Sequence, residues 1–239
     1  MAKKPIIEIC CYSLADCTAA QMGGADRAEL CANPMEGGTT PSYGILKMAR
    51  NLLAMKVRAI IRPRGGDFVY SDIEFLAMQA DILQCKELDM DGVVTGILTK
   101  DGEIDSKRMQ ILIELADPLP VTFHRAIDTT NDPLSSIEHL ISLGCTSILS
   151  SGAASSAIDG IENLKKWQEL FAGQIEIIAG GGINLNNIAQ IASSTSLSTY
   201  HTSLRKPLHS SSGHFGYYEP ILASDVKQLK SALHQSLLE

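Results

Sequence analysis

Short apolar runs and longer segments of helical period alternate along the whole chain. The runs are rich in Ile, Val and Leu and fall at 6–12, 27–32, 57–63, 92–98, 120–126, 147–151, 175–179 and 197–203. Runs of this length and composition predict strands, near-continuously apolar as in a parallel sheet covered on both faces. Between them, "DIEFLAMQADILQCKEL" puts Ile73, Leu76, Met78, Ala80, Ile82, Leu83 and Leu88 largely on one helical stripe; "ENLKKWQELF" and "VKQLKSALHQSLL" repeat the period. Helix starts carry chemical labels. Ser71 with Glu74 fits a capping box, Ser13 with Asp16 a weaker one, Asp132-Pro133 a cap followed by proline, and Asn184 a cap after the seventh strand. Gly144 stands where a helix must stop before the sixth strand.

Eight strand–helix units in 239 residues predict an α/β protein built as a single (β/α)8 TIM barrel spanning 1–239. An open doubly wound sheet is the alternative, but its glycine fingerprint is absent: the first strand runs into Cys-Cys-Tyr-Ser. A polar stretch at 207–220 before the last helix reads as a mobile loop.

Composition narrows the field. Hydrophobic residues make up 45%, enough for a large core, and the net charge of −7 argues against a nucleic-acid binder. No run is long enough to span a membrane, and no signal-peptide pattern precedes the first strand, so a cytoplasmic location is expected. The six cysteines form no CxxC pair, and in the cytosol each is by default a small buried apolar residue.

Function in a barrel gathers where the strands end, and alternate residues there point inward. Those positions hold Glu8 and Cys10, Glu29 and Cys31, Arg62 and Arg64, Thr122 and His124, then Ser150 and Ser151, Gly180-Gly181-Gly182, and finally His201, Ser203 and Arg205. The plain alternative is mutual pairing of the charges, Glu29 with Arg62 for instance. Three chemistries fit the set. Arg62, Arg64, the three glycines, His201, Ser203 and Arg205 could hold a small anionic or phosphorylated ligand. Glu8, Glu29 and His124 could act as catalytic acid or base, or hold a hard metal. Cys10 and Cys31, on neighbouring strands about 4.8 Å apart, could share one Cu(I) ion.

Beyond these patterns, "EIC" at 8–10, "GGADRAELC" at 23–31, "EGGTTPSYG" at 36–44, "IIRPRGGDFVYSD" at 60–72, "VTFHRAID" at 121–128, "SILSSG" at 147–152 and "GGGI" at 180–183 together resemble the CutC copper-homeostasis family. The resemblance runs from about residue 6 to about residue 205. It implies a TIM barrel, cytosolic, a homo-oligomer, associated with copper tolerance, with Cys10 and Cys31 as the matching cysteines for Cu(I). Thr199, Leu204 and Asp89 depart from the family pattern, which often has glutamate, alanine and glycine at those places.

Overall fold

A computed structural model describes residues 4–205 and 219–236. Strands and helices alternate as β1 (Ile6–Cys11), α1 (Leu14–Gly23), β2 (Arg27–Leu30), α2 (Tyr43–Leu52), β3 (Lys56–Ile60), α3 (Asp72–Glu87), β4 (Val93–Thr95), α4 (Ser106–Ala116), β5 (Val121–Phe123), α5 (Pro133–Ser142), β6 (Ser147–Ser150), α6 (Ile161–Phe171), β7 (Glu176–Ala179), α7 (Ile188–Thr195), β8 (Thr199–Thr202) and α8 (Ala223–Ser236). The eight strands are parallel and close into a barrel in sequence order, β8 pairing with β1. The stretch 207–218 of the expected loop lies outside the described residues.

The caps form where the local chemistry places them. Ser71 Oγ accepts from the Glu74 amide while the Glu74 carboxylate accepts from the Ser71 amide, closing the box at the start of α3. Asp132 Oδ1 accepts from the amides of Leu134 and Ser135. Two expectations change. Asn187, not Asn184, precedes α7; Asn184 instead closes a turn by accepting from the Asn186 amide. On α3 the buried face is Met78, Ile82 and Cys85, while Ile73, Leu76 and Leu83 are exposed. Asp89 follows α3 in the left-handed region at φ 52°, a conformation glycine adopts more cheaply.

Outward residues of the strands, among them Ile7, Ile9, Val57, Ile61 and Phe123, belong to the main core beneath the helices. The barrel interior is unusually polar toward its N-terminal end. Arg58 reaches across from β3 to donate to Thr122 Oγ1 at 2.6 Å and Ser147 Oγ at 3.0 Å. Arg27 pairs with Glu8, and both arginines lie within 4 Å of Glu176. This layer supports the charges above it. No helix among the described residues is long and apolar enough to cross a membrane.

Candidate functional site

Parallel register sets the first neighbours. Glu8 stands beside Arg27 on one side and His201 on the other, and Cys10 stands beside Glu29. Each of these points inward, so β8, β1 and β2 bring Glu8, His201, Glu29, Cys10 and Cys31 into one buried cluster. The cluster forms part of the wall of a cavity of about 760 Å³ that opens at the C-terminal ends of the strands.

His201 is the hub. Its Nδ1 lies 2.8 Å from Glu8 Oε1, and its Nε2 lies 3.5 Å from Glu29 Oε2. Burial works against charge on this ring. The hydrogen bonds to Cys10 and Glu8 and the charges of both carboxylates outweigh it, so His201 holds its proton well above the usual imidazole range. Glu8 shows the same contest: burial would raise its pKa, but the His201 bond and the Arg27 charge hold it at about 2. Glu29 makes no ion pair with an arginine among the described residues, and the Arg27 charge acts on it more weakly than burial, His201, Cys10 or Glu8. Burial and the charges of Cys10 and Glu8 push it up to about 8 against the pull of His201. One carboxyl is therefore ionised and its neighbour neutral at pH 7.

Cys10 Sγ and Cys31 Sγ lie 3.6 Å apart. The hydrogen bond from Cys31, then the bond and charge of His201, bring Cys10 down to about 5, although burial opposes this. The same bond, reinforced by burial, raises Cys31 well above the usual thiol range. The pair is a thiolate accepting from a thiol. Cys11 points the other way, into the core under the helices.

His124 does not join the two glutamates. Its ring lies 4.7 Å from that of Phe68, its Nδ1 accepts from the Ala126 amide, and its Nε2 has no partner among the described residues. Burial and the nearby Arg62 charge lower it to about 3, so the ring is neutral.

The two arginines of the run at 60–72 separate. Arg62 reaches the cavity but is bound to backbone: Nη1 donates to the carbonyls of Glu36 and Gly38, and Nη2 to that of Gly66. It therefore does not pair with Glu29. Arg64 lies past the end of β3, outside the cavity lining, and its guanidinium binds Glu74 and Asp67. Gly181 and Gly182 line the cavity, whereas Gly180 sits below it with its amide on Ser150 O. Ser203 and Arg205 lie on the rim, Arg205 over the Tyr12 ring. Arg125 also lines the cavity and was not singled out from sequence. It follows His124 directly, out of phase with the inward positions, so strand alternation gives no signal for it. Asp128 accepts from its Nε, and the same carboxylate also accepts from the amides of Ser151 and Ala153.

These features define a parallel eight-stranded barrel with a thiol pair, two carboxyls and an imidazole in its mouth. The chain belongs to the CutC family, whose family model matches residues 5–206. It is 50% identical to a CutC family protein of Chromobacterium violaceum over 84% of this chain and 81% of that one. It is 43% identical to the human copper homeostasis protein cutC homolog over 84% of this chain and 73% of that one. The crystal structure of a CutC protein from Streptococcus agalactiae superposes with a TM-score of 0.80 at 38% identity, covering 83% of this chain and 98% of that one. A thiamine phosphate pyrophosphorylase from Pyrococcus furiosus, 16% identical with a TM-score of 0.62 over 99% of this chain and 98% of that one, shares the fold alone.

Proposed function

We propose that this protein serves copper homeostasis in the cytosol and binds Cu(I) through Cys10 and Cys31. The thiol pair carries the reading. Its 3.6 Å separation is too long for a disulfide and close to the roughly 3.8 Å between two thiolates bound to one tetrahedral ion. Two sulfurs suit a soft ion, and the Glu29 carboxyl lies close enough to add an oxygen. A second grouping, Glu8, Glu29 and His201, fits a harder metal by distance. Its imidazole keeps its proton and Glu8 is taken by Arg27, so that grouping offers few free lone pairs. Loading the thiol pair displaces the Cys31 proton, so uptake should release acid.

The test is titration of the reduced protein with Cu(I) against a coloured Cu(I) chelator. One ion per chain should be withdrawn from the chelator, with proton release in weakly buffered solution. Cys10→Ser and Cys31→Ser should each abolish this. Stoichiometric uptake by the double variant would assign copper to other groups and end the reading.

A further inference from the structure

The β5–β7 side of the mouth is built differently from the thiol side. Arg125 Nε donates to Asp128 Oδ2 at 2.8 Å and Nη2 to Ser151 Oγ at 2.9 Å. That grip fixes the guanidinium and leaves Nη1 without a partner among the described residues. The group lies against the turn after β7. A Cβ on Gly181 would come within 3.2 Å of Arg125 Cζ and 3.1 Å of Ser151 Cβ, so the approach is tight and the positive φ there favours glycine. Gly181 and Gly182 both have positive φ, 103° and 75°, and their amides find no acceptor among the described residues. Two successive free amides of this kind form a concavity that accepts an anion.

His124 supplies a second, independent sign. Because the Ala126 amide donates to Nδ1, the neutral ring carries its hydrogen on Nε2. That nitrogen is buried with no partner among the described residues, on a side chain that lines the same cavity and is only 5% exposed. A buried donor left unpaired is costly unless a ligand completes it.

We propose that this side of the mouth binds the phosphoryl group of a small organic phosphate, held by the Gly181 and Gly182 amides, Arg125 Nη1 and His124 Nε2. Four donors from two strand ends suit a tetrahedral group with three terminal oxygens better than a planar carboxylate with two. The acids that also line the cavity, Glu29, Glu36 and Asp225, lie on other segments, and Asp128 is already neutralised by Arg125. The cavity leaves room for an organic body reaching toward Cys10 and His201. Arg62 and Arg64, the arginines that stand out in sequence, are engaged elsewhere; Arg125 takes the role instead.

The site shares no residue with the thiol pair, so the test uses the Cys10→Ser/Cys31→Ser chain beside the native one. Thermal unfolding is followed with inorganic phosphate and with glycerol 3-phosphate, against acetate and chloride at matched ionic strength. Nitrogen-15 NMR of labelled histidine follows His124 in the same samples. Both phosphates should raise Tm saturably in both chains and move the His124 Nε2 signal. Arg125→Gln should weaken binding roughly tenfold or more, the loss of a charged hydrogen bond. Absence of a saturable shift, an unmoved His124 signal, or equal binding of acetate overturns the assignment. The NMR arm decides the matter on native protein should Arg125→Gln fail to fold.

Discussion

Arg58 carries its guanidinium from β3 to β5 and β6 near the N-terminal end of the barrel, and Arg125 carries its own from the end of β5 to the segment after β6 at the mouth. Arg58 is buried, and its partners Thr122, Ser147 and Glu176 are all side chains of the barrel lining. Arg125 is 43% exposed and keeps one arm uncommitted beside two free amides. The lower layer uses charge to hold a shape, whereas the mouth holds hydrogen-bond donors in reserve. Even the leftover donors differ. Among the described residues, Arg27 Nη2 lacks a partner inside the closed layer, while His124 Nε2 lacks one on a residue that faces the cavity.

The largest effect should come from breaking the lower layer. Arg27→Met removes the cation beside Glu8, a carboxylate buried to 2% exposure. Stranding one member of a buried ion pair costs about 3–5 kcal/mol, read as a lowered urea midpoint at unchanged slope. The matching change at the mouth, Arg125→Gln, removes an exposed guanidinium from a buried Asp128 that keeps its bonds from Ser150, Ser151 and Ala153, and should cost less, about 1 kcal/mol. Similar losses for the two would erase the distinction between the layers.

The second effect separates Glu8 from Glu29 by pH. Both carboxyls have an ordinary value of 4.5; the fold holds Glu8 at about 2 and Glu29 at about 8. As pH falls from 4.5 toward 2, the unfolded chain takes up the Glu8 proton first, so the stability Glu8 contributes above 4.5 is lost. As pH rises from 4.5 to 8, the unfolded chain has released the Glu29 proton that the fold still binds, so stability falls across that window. Glu29→Gln, which cannot ionise, should flatten the decline between pH 5 and 8 in denaturation curves. A decline of the same slope in the variant would place the proton on another group.

Much of this was legible in the chain because it is local. Strand runs, the Ser71 box and the Asp132 cap depend on neighbours a few residues away, and all three form. The two-residue spacing that joins Glu8 to Cys10 and Glu29 to Cys31 also carries over, because those residues lie on or beside regular strand. The alternation fails where the strand does. β3 stops at Ile60, and Pro63 follows, so Arg64 turns away from the phase set by Arg58 and Ile60. Arg125 sits one residue past His124 in a tight helical turn, where alternation has no meaning. On α3 the period is right, but the chain carries two apolar stripes, and only tertiary packing selects Met78, Ile82 and Cys85 over Ile73, Leu76 and Leu83. The Arg27–Glu8–His201 chain needs barrel closure between β8 and β1, a contact spanning nearly the whole sequence.

The smallest predicted effect is the sharpest check on how the two arginines of "RPR" divide. Arg64 is 39% exposed, and its guanidinium binds Glu74 at 2.6 Å and Asp67 at 3.0 Å, both outside the cavity. Screened pairs of this kind contribute up to about 1 kcal/mol each, so Arg64→Ala should lower stability slightly and leave copper uptake and phosphate binding unchanged. Arg62→Ala is different, because three carbonyls from two loops lose one donor together. Those loops carry Glu36, Gly37 and Phe68 into the cavity wall, and Phe68 covers His124. Ligand affinity measured side by side should therefore drop for Arg62→Ala and hold for Arg64→Ala. An equal drop for Arg64 would mean that its loop, and not the carbonyl clamp of Arg62, shapes the mouth.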